Sequence, residues 1–62
     1  MWKVSFTLGR TLPDGTKVVE GTIAETGFAN KGQAEAWLAD GARLRYGPEF
    51  WHRCQKVEVF EV

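Results

Sequence analysis

The sequence predicts an α+β domain of β-β-α-β order, a three-stranded antiparallel sheet in strand order 2-1-3 with one helix packed on one face. Three observations lead there. Residues 2 to 8 alternate between apolar and polar side chains, the period of a half-buried strand. A Pro13-Asp14-Gly15 turn separates them from a second β-rich run. Between residues 30 and 47 the apolar positions switch to helical spacing.

The first strand places Trp2, Val4, Phe6 and Leu8 on one face and Lys3, Ser5 and Thr7 on the other. In the turn, Pro13 presets φ and Gly15 accepts a positive φ. The second strand is expected from Thr16 to about Glu25. Val19 and Ile23 share a face with Gly21, and Gly21 marks a close approach or a bulge. Thr26-Gly27 is read as the end of the hairpin. Asn30 is the expected helix N-cap, with Gln33 three residues on completing a capping-box pair. Ala34, Trp37, Leu38 and Gly41 then fall at i, i+3, i+4 and i+7, one stripe of an amphipathic helix. Gly41 would let that helix lie close to the sheet, at about 1 kcal/mol of propensity relative to Ala. Gly47 is expected as a left-handed cap and Pro48 as the stop. Pro48 also suits the first position of a further short turn, 49–53. The chain ends in a β-rich run, KVEVFEV.

Strands 2 and 3 run the same way, with the helix crossing between them, so strand 1 belongs in the centre and every neighbouring pair is antiparallel. The crossover is expected to be right-handed.

A chain of 62 residues is one domain and buries only about 60% of the surface its unfolded form exposes. Small scaffolds need a staple. Cys54, the single cysteine, has no disulfide partner. With His52 as the one histidine, a four-ligand structural zinc site is not available either. Neither a metal nor a cofactor is expected. The core therefore falls to the aromatics, 3 Trp, 4 Phe and 1 Tyr, each able to bury about 150–250 Å².

Eight basic and eight acidic side chains cancel, so no global field drives nonspecific binding to nucleic acid or membrane. MWKVSFTL lacks the apolar stretch of a secretory signal, and no run approaches the roughly 18 apolar residues of a membrane span. The expectation is a cytoplasmic protein with a reduced thiol. The initiating Met followed at once by a strand reads as a complete small protein.

The last strand does not alternate cleanly. Val57 and Val59 point one way with Glu61; Phe60 and Val62 point the other way with Glu58. One pair must leave the core face, unless a bulge after Val59 turns Phe60 inward. Val18 of the second strand is expected to join the outward pair. An apolar edge strand is a template for pairing. Val18, Val57, Phe60 and Val62 are therefore the candidate interface for a homodimer or another protein partner. The plain alternative is a bulge with scattered exposed apolar residues, which is normal for proteins.

RLRYGPEFWHRC, residues 43 to 54, is the densest chemistry in the chain. Arg43, Arg45, Arg53 and Lys56 stand against one acid, Glu49. With Tyr46 or Trp51 stacking, they are the candidates for nucleic-acid contact, the runner-up reading. Against it, cations in the last turn of a helix complement its dipole without any ligand, and aromatics just past a helix end commonly lid a core. His52 and Cys54, two apart, could share one face of an extended segment as a nucleophile pair, but no orienting third group accompanies them. The glycines form no phosphate-cradling loop. No catalytic residue is assigned, and a non-enzymatic protein is expected.

The Ala-Gly-Trp-Arg vocabulary of AEAWLADGARLRYGPEFW resembles that of small proteins from bacteriophages of high-GC actinobacteria. The resemblance is one of compositional style over the whole chain. It implies a cytosolic accessory protein, in the host cytoplasm, that acts by binding and engages a host factor; no site residue is carried over from it.

Overall fold

A long hairpin forms because two β-rich runs flank a turn whose chemistry closes it. The computed structural model describes residues Met1–Val62 and places β1 at Trp2–Thr11 and β2 at Lys17–Phe28. The Gly15 N–H donates to the Leu12 carbonyl at 2.9 Å, and Gly15 has φ 89°, a conformation that strains any side-chain-bearing residue. The Asp14 carboxylate accepts the Thr16 N–H at 2.9 Å.

That backbone hydrogen bond, helped by the Thr16 side chain, holds the Asp14 carboxyl below its ordinary value. A lowered folded pKa gives the turn stability that is present above about pH 4 and lost as pH falls through the folded value. The Thr16 amide shift should therefore titrate with Asp14 at low pH in NMR spectra. An Asp14→Ala chain should lack that titration.

The helical segment follows as α1 (Lys31–Ala36), a π turn (Trp37–Gly41) and α2 (Ala42–Arg45), continuous in path. Asn30 caps it as expected, its Oδ1 accepting the Gln33 N–H at 2.8 Å. Gln33 Oε1 reaches back to the Ala29 N–H at 2.7 Å. Tyr46 then leaves the helix in extended conformation, and α3 (Pro48–Arg53) starts on the proline. β3 runs from Cys54 to Glu61. The sheet has order β2-β1-β3 with both pairings antiparallel, the topology that the order of elements predicts.

Local details depart from the sequence reading where long-range fit outweighs local preference. Thr26-Gly27 does not end β2. It is an irregularity inside the strand, with Gly27 at φ 93° and Phe28 still paired to Trp2. Gly47 is not left-handed: it is extended, at φ −82° and ψ 179°. In the π turn the Ala42 N–H donates to the Trp37 carbonyl five residues back. The extra residue carries Ala42, rather than Gly41, into the fully buried position. Gly41 makes room for the Trp37 indole, whose Cδ1 would lie 2.5 Å from an added Cβ; it does not serve approach to the sheet.

Two bulges at one level of the sheet matter most. Opposite Leu8–Gly9 the pairing on β2 jumps from Gly21 to Val19, leaving Glu20 as the extra residue. Opposite Thr7–Leu8 the pairing on β3 jumps from Lys56 to Cys54, leaving Gln55 as the extra residue. A bulge resets side-chain parity. Val18 now pairs with Arg10, so it shares the helix-side parity of Val4 and Phe6. Val19 pairs with Gly9 on the open side. Val19 and Ile23 are thus on opposite faces, and Val18 does not join Phe60. No bulge follows Val59.

The fully buried hydrophobic core is small: Val4, Phe6, Ala34 and Ala42. Trp2, Leu8, Phe28, Trp37, Leu38, Tyr46, Phe50, Trp51, Cys54 and Val59 pack partly buried against it. The Phe6 ring is surrounded edge-on by Trp37, Tyr46, Phe50 and Trp51, at centroid distances of 6.0, 5.7, 5.3 and 5.7 Å. The molecule measures 41 × 23 × 13 Å with a radius of gyration of 12.7 Å, against about 11 Å for a compact chain of this length. Geometry explains the excess. A strand of 12 residues spans about 41 Å, whereas a helical run over residues 31–45 covers only about 22 Å. The helices roof one part of the sheet, and the hairpin overhangs.

Candidate functional site

The candidate interface residues do not form one patch. Val57 pairs with Phe6 and lies on the helix side, yet is 38% exposed at the sheet margin. Ile23 flanks Phe6 from the other strand and is 39% exposed. The single helical layer is too narrow to cover both neighbours of the central ring. Val18 is half-buried near the overhang, far along the sheet from the chain termini.

Phe60 and Val62 do share a face, and the structure adds a residue that sequence reasoning missed. Phe60 pairs with Lys3 on the open side. Beyond the last strand residue, the Val62 N–H donates to the Met1 carbonyl at 2.8 Å, and the Met1 ammonium donates to the Val62 carbonyl at 3.3 Å. The ladder thus continues by one pair and brings both chain ends to one corner. Met1, Phe60 and Val62 are 65%, 36% and 66% exposed. The Lys3 ammonium sits 5.4 Å from the Phe60 ring centroid, a cation–π contact worth about 0.5–1 kcal/mol at such a site. The signal for Met1 was its parity: an odd residue preceding Lys3 must point to the same side.

Around this corner the open face is mostly polar, with Ser5 and Thr7 in the centre, Lys56 and Glu58 on β3, and Thr22 and Ala24 on β2; Val19 lies exposed farther along it. Lys56 pairs with Glu58 at 3.4 Å. Glu25 and Glu61 pair with Val4 and Trp2 and so belong to the helix-side parity. β3 has β1 as its one neighbour in the sheet, so its outer edge carries unpaired backbone groups beside the apolar corner.

The basic-aromatic stretch is split among several surroundings. Tyr46 and Trp51 pack against Phe6, and Tyr46 stacks on Phe50 at 4.0 Å with planes 13° apart. The Trp51 Nε1–H donates to the Tyr46 carbonyl at 3.3 Å. These rings lid the core, and their contacts compete with stacking on a base. Arg43 and Arg45 occupy the last turn of α2, with the Arg45 guanidinium 5.9 Å from the Tyr46 ring. Arg53 turns to Glu20, its Nη2 donating to Oε1 at 3.1 Å. The four cations are not gathered into one stripe.

His52 and Cys54 are not side by side in an extended segment. His52 is in the last turn of α3 and Cys54 opens β3. The Cys54 Sγ–H points to the Lys56 carbonyl at 3.7 Å. No helix is long and apolar enough to cross a membrane. Comparison with protein-family models, with curated proteins and with solved structures gives no match.

Proposed function

We propose that this chain is a non-enzymatic binding protein that works by protein–protein contact, through β3 and the adjoining open-face corner. The supporting observation is the exposure of Phe60 and Val62 at the end of β3, whose outer edge has no neighbouring strand, with the exposed Met1 paired to Val62 at the same end of the sheet. A chain with four fully buried hydrophobic residues gains stability from any partner that covers further apolar area, at about 25 cal/mol per Å². Antiparallel pairing of one β3 edge with another satisfies backbone donors and acceptors of both copies, and a register centred on the C-terminal end of β3 would set the two apolar corners together. Self-association is the simplest form; a cellular protein presenting a strand is the other, and for a phage product that protein belongs to the host.

Light scattering across a dilution series tests the proposal. The expected result is a mass near twice the monomer at high concentration, falling on dilution and little changed by moderate salt. Phe60→Glu should weaken association by about 2 kcal/mol or more, the scale of an aromatic anchor in an interface. A strict monomer at every concentration, indifferent to that substitution, removes the support for self-association. Loss of the dimer with rising salt would instead point to charge contacts.

A further inference from the structure

Away from the apolar corner, the two bulges build a second, chemically opposite feature. A polar cleft of about 450 Å³ opens between the far end of β1, the end of α3 and the start of β3. It is lined by Gly9, Arg10, Thr11, His52, Arg53 and Gln55, with no hydrophobic residue among them. We propose that this cleft binds a phosphate monoester whose organic part is hydrophilic, of the sugar-phosphate type.

The floor is prepared by the absence of a side chain. Gln55 reaches over Gly9, and its Nε2 donates to the carbonyls of Arg10 and Val18 at 3.3 and 3.2 Å. One amide thus ties all three strands together at the level where both bulges fall. Glu20, the other bulged residue, bridges the two guanidiniums: Oε1 meets Arg53 Nη2 at 3.1 Å, and Oε2 lies 3.8 Å from Arg10 Nε. Bulges commonly re-aim side chains in this way beside binding sites.

The charge balance leaves one positive charge for an external anion, and two once that anion displaces the internal carboxylate. Two guanidiniums face one internal carboxylate, and its contact with Arg10 is beyond hydrogen-bond length. Each guanidinium carries five N–H donors in a rigid fork suited to phosphoryl oxygens, so most of them remain uncommitted. Thr11 and His52 add a hydroxyl and an imidazole to the rim. Arg10, Arg53 and Glu20 are all substantially exposed, and exposed ion pairs contribute little, so a doubly charged ligand can displace the Glu20 carboxylate at small cost. With no aromatic lining, a nucleobase finds nothing to stack on, whereas hydroxyls find Gln55, Thr11 and main-chain groups.

An NMR amide titration of the full chain tests this with inorganic phosphate and with glucose 6-phosphate, against sodium chloride at matched ionic strength. Saturable shifts around residues 9–11, 20 and 52–55 are expected, with glucose 6-phosphate the tighter ligand. Arg53→Gln should weaken binding about 10-fold or more, the scale of a charge-assisted hydrogen bond. Glu20→Gln, which removes the internal competitor, should tighten it about 3- to 10-fold by the same reasoning. This opposite sign separates a binding effect from loss of folding. Shifts that chloride reproduces, or that spread over Lys3 and Lys31, would overturn the site. So would a Glu20→Gln chain that binds no more tightly than the parent. Equal affinity for the two phosphates would overturn the sugar-phosphate assignment.

Discussion

Phe6→Ala should lower the unfolding free energy by about 3–5 kcal/mol, the usual cost of deleting a buried aromatic ring. Phe6 is fully buried and makes edge contacts with Trp37, Tyr46, Phe50 and Trp51. Such ring pairs contribute about 0.5–1.5 kcal/mol each beyond area burial, though not additively, since one substitution removes all of them together. A chain of 62 residues has a total stability of about 3–9 kcal/mol, so this single change should leave much of the population unfolded at room temperature. Urea denaturation followed by tryptophan fluorescence reads the loss directly. Near-UV circular dichroism should also collapse, because the indoles of Trp37 and Trp51 lose the ring that orders them. A loss below about 1 kcal/mol, the cost of an average substitution, would mean that the aromatic cluster is not the core.

Gly9→Ala should be nearly as damaging, for the opposite reason. Gly9 is buried in the central strand and its backbone is not left-handed, so space alone demands a glycine. An added Cβ would run into the Val18 carbonyl oxygen and stand 2.5 Å from Gln55 Nε2. The obstacle on one side is backbone and cannot rotate away. Overpacking of this kind costs about 1–3 kcal/mol, and breaking the Gln55 bridge adds about 0.5–1.5 kcal/mol. Together these give an expected loss of about 2–4 kcal/mol in the same denaturation experiment. A double-mutant cycle with Gln55→Ala supplies the mechanism: the two losses should sum to less than their parts, because the second substitution removes one of the two obstacles. Stability unchanged to within about 0.5 kcal/mol, as for an ordinary surface position, would contradict the crowded floor described above.

Gly9 and its neighbours also mark the line between what was legible in the sequence and what was not. The alternation of Trp2, Val4, Phe6 and Leu8, the Pro13-Asp14-Gly15 turn, the Asn30 cap and the Pro48 start are local devices. Each acts within a few residues, so each is written in the residues that perform it. Strand order 2-1-3 follows from them by connectivity. The bulges at Glu20 and Gln55 are different. A single inserted residue costs little locally, and its position depends on where β2 and β3 must slip to follow the twist of β1. Parity beyond such a slip is reversed, which is why Val18 and Val19 exchange faces.

The candidate sites divide in the same way. The outward parity of Phe60 and Val62 was readable because no irregularity separates them from Val59 in the ladder. The cleft was not readable, since Arg10 and Arg53 are 43 positions apart and Glu20 reaches them only through the bulge. RLRYGPEFWHRC looked like one surface because its residues are adjacent in sequence. In three dimensions its rings turn to Phe6 and Arg53 turns to Glu20.

By itself, the sequence determined the order of strand, turn and helix, with boundaries a few residues off at the end of β2, and that a single cysteine leaves no internal disulfide. Tertiary structure alone decided which face each residue beyond a bulge presents, how much of the long hairpin a short helical layer can roof, and which distant charges meet. Periodicity and turn chemistry are properties of a few consecutive residues. Register and coverage arise only when whole elements compete for the same space.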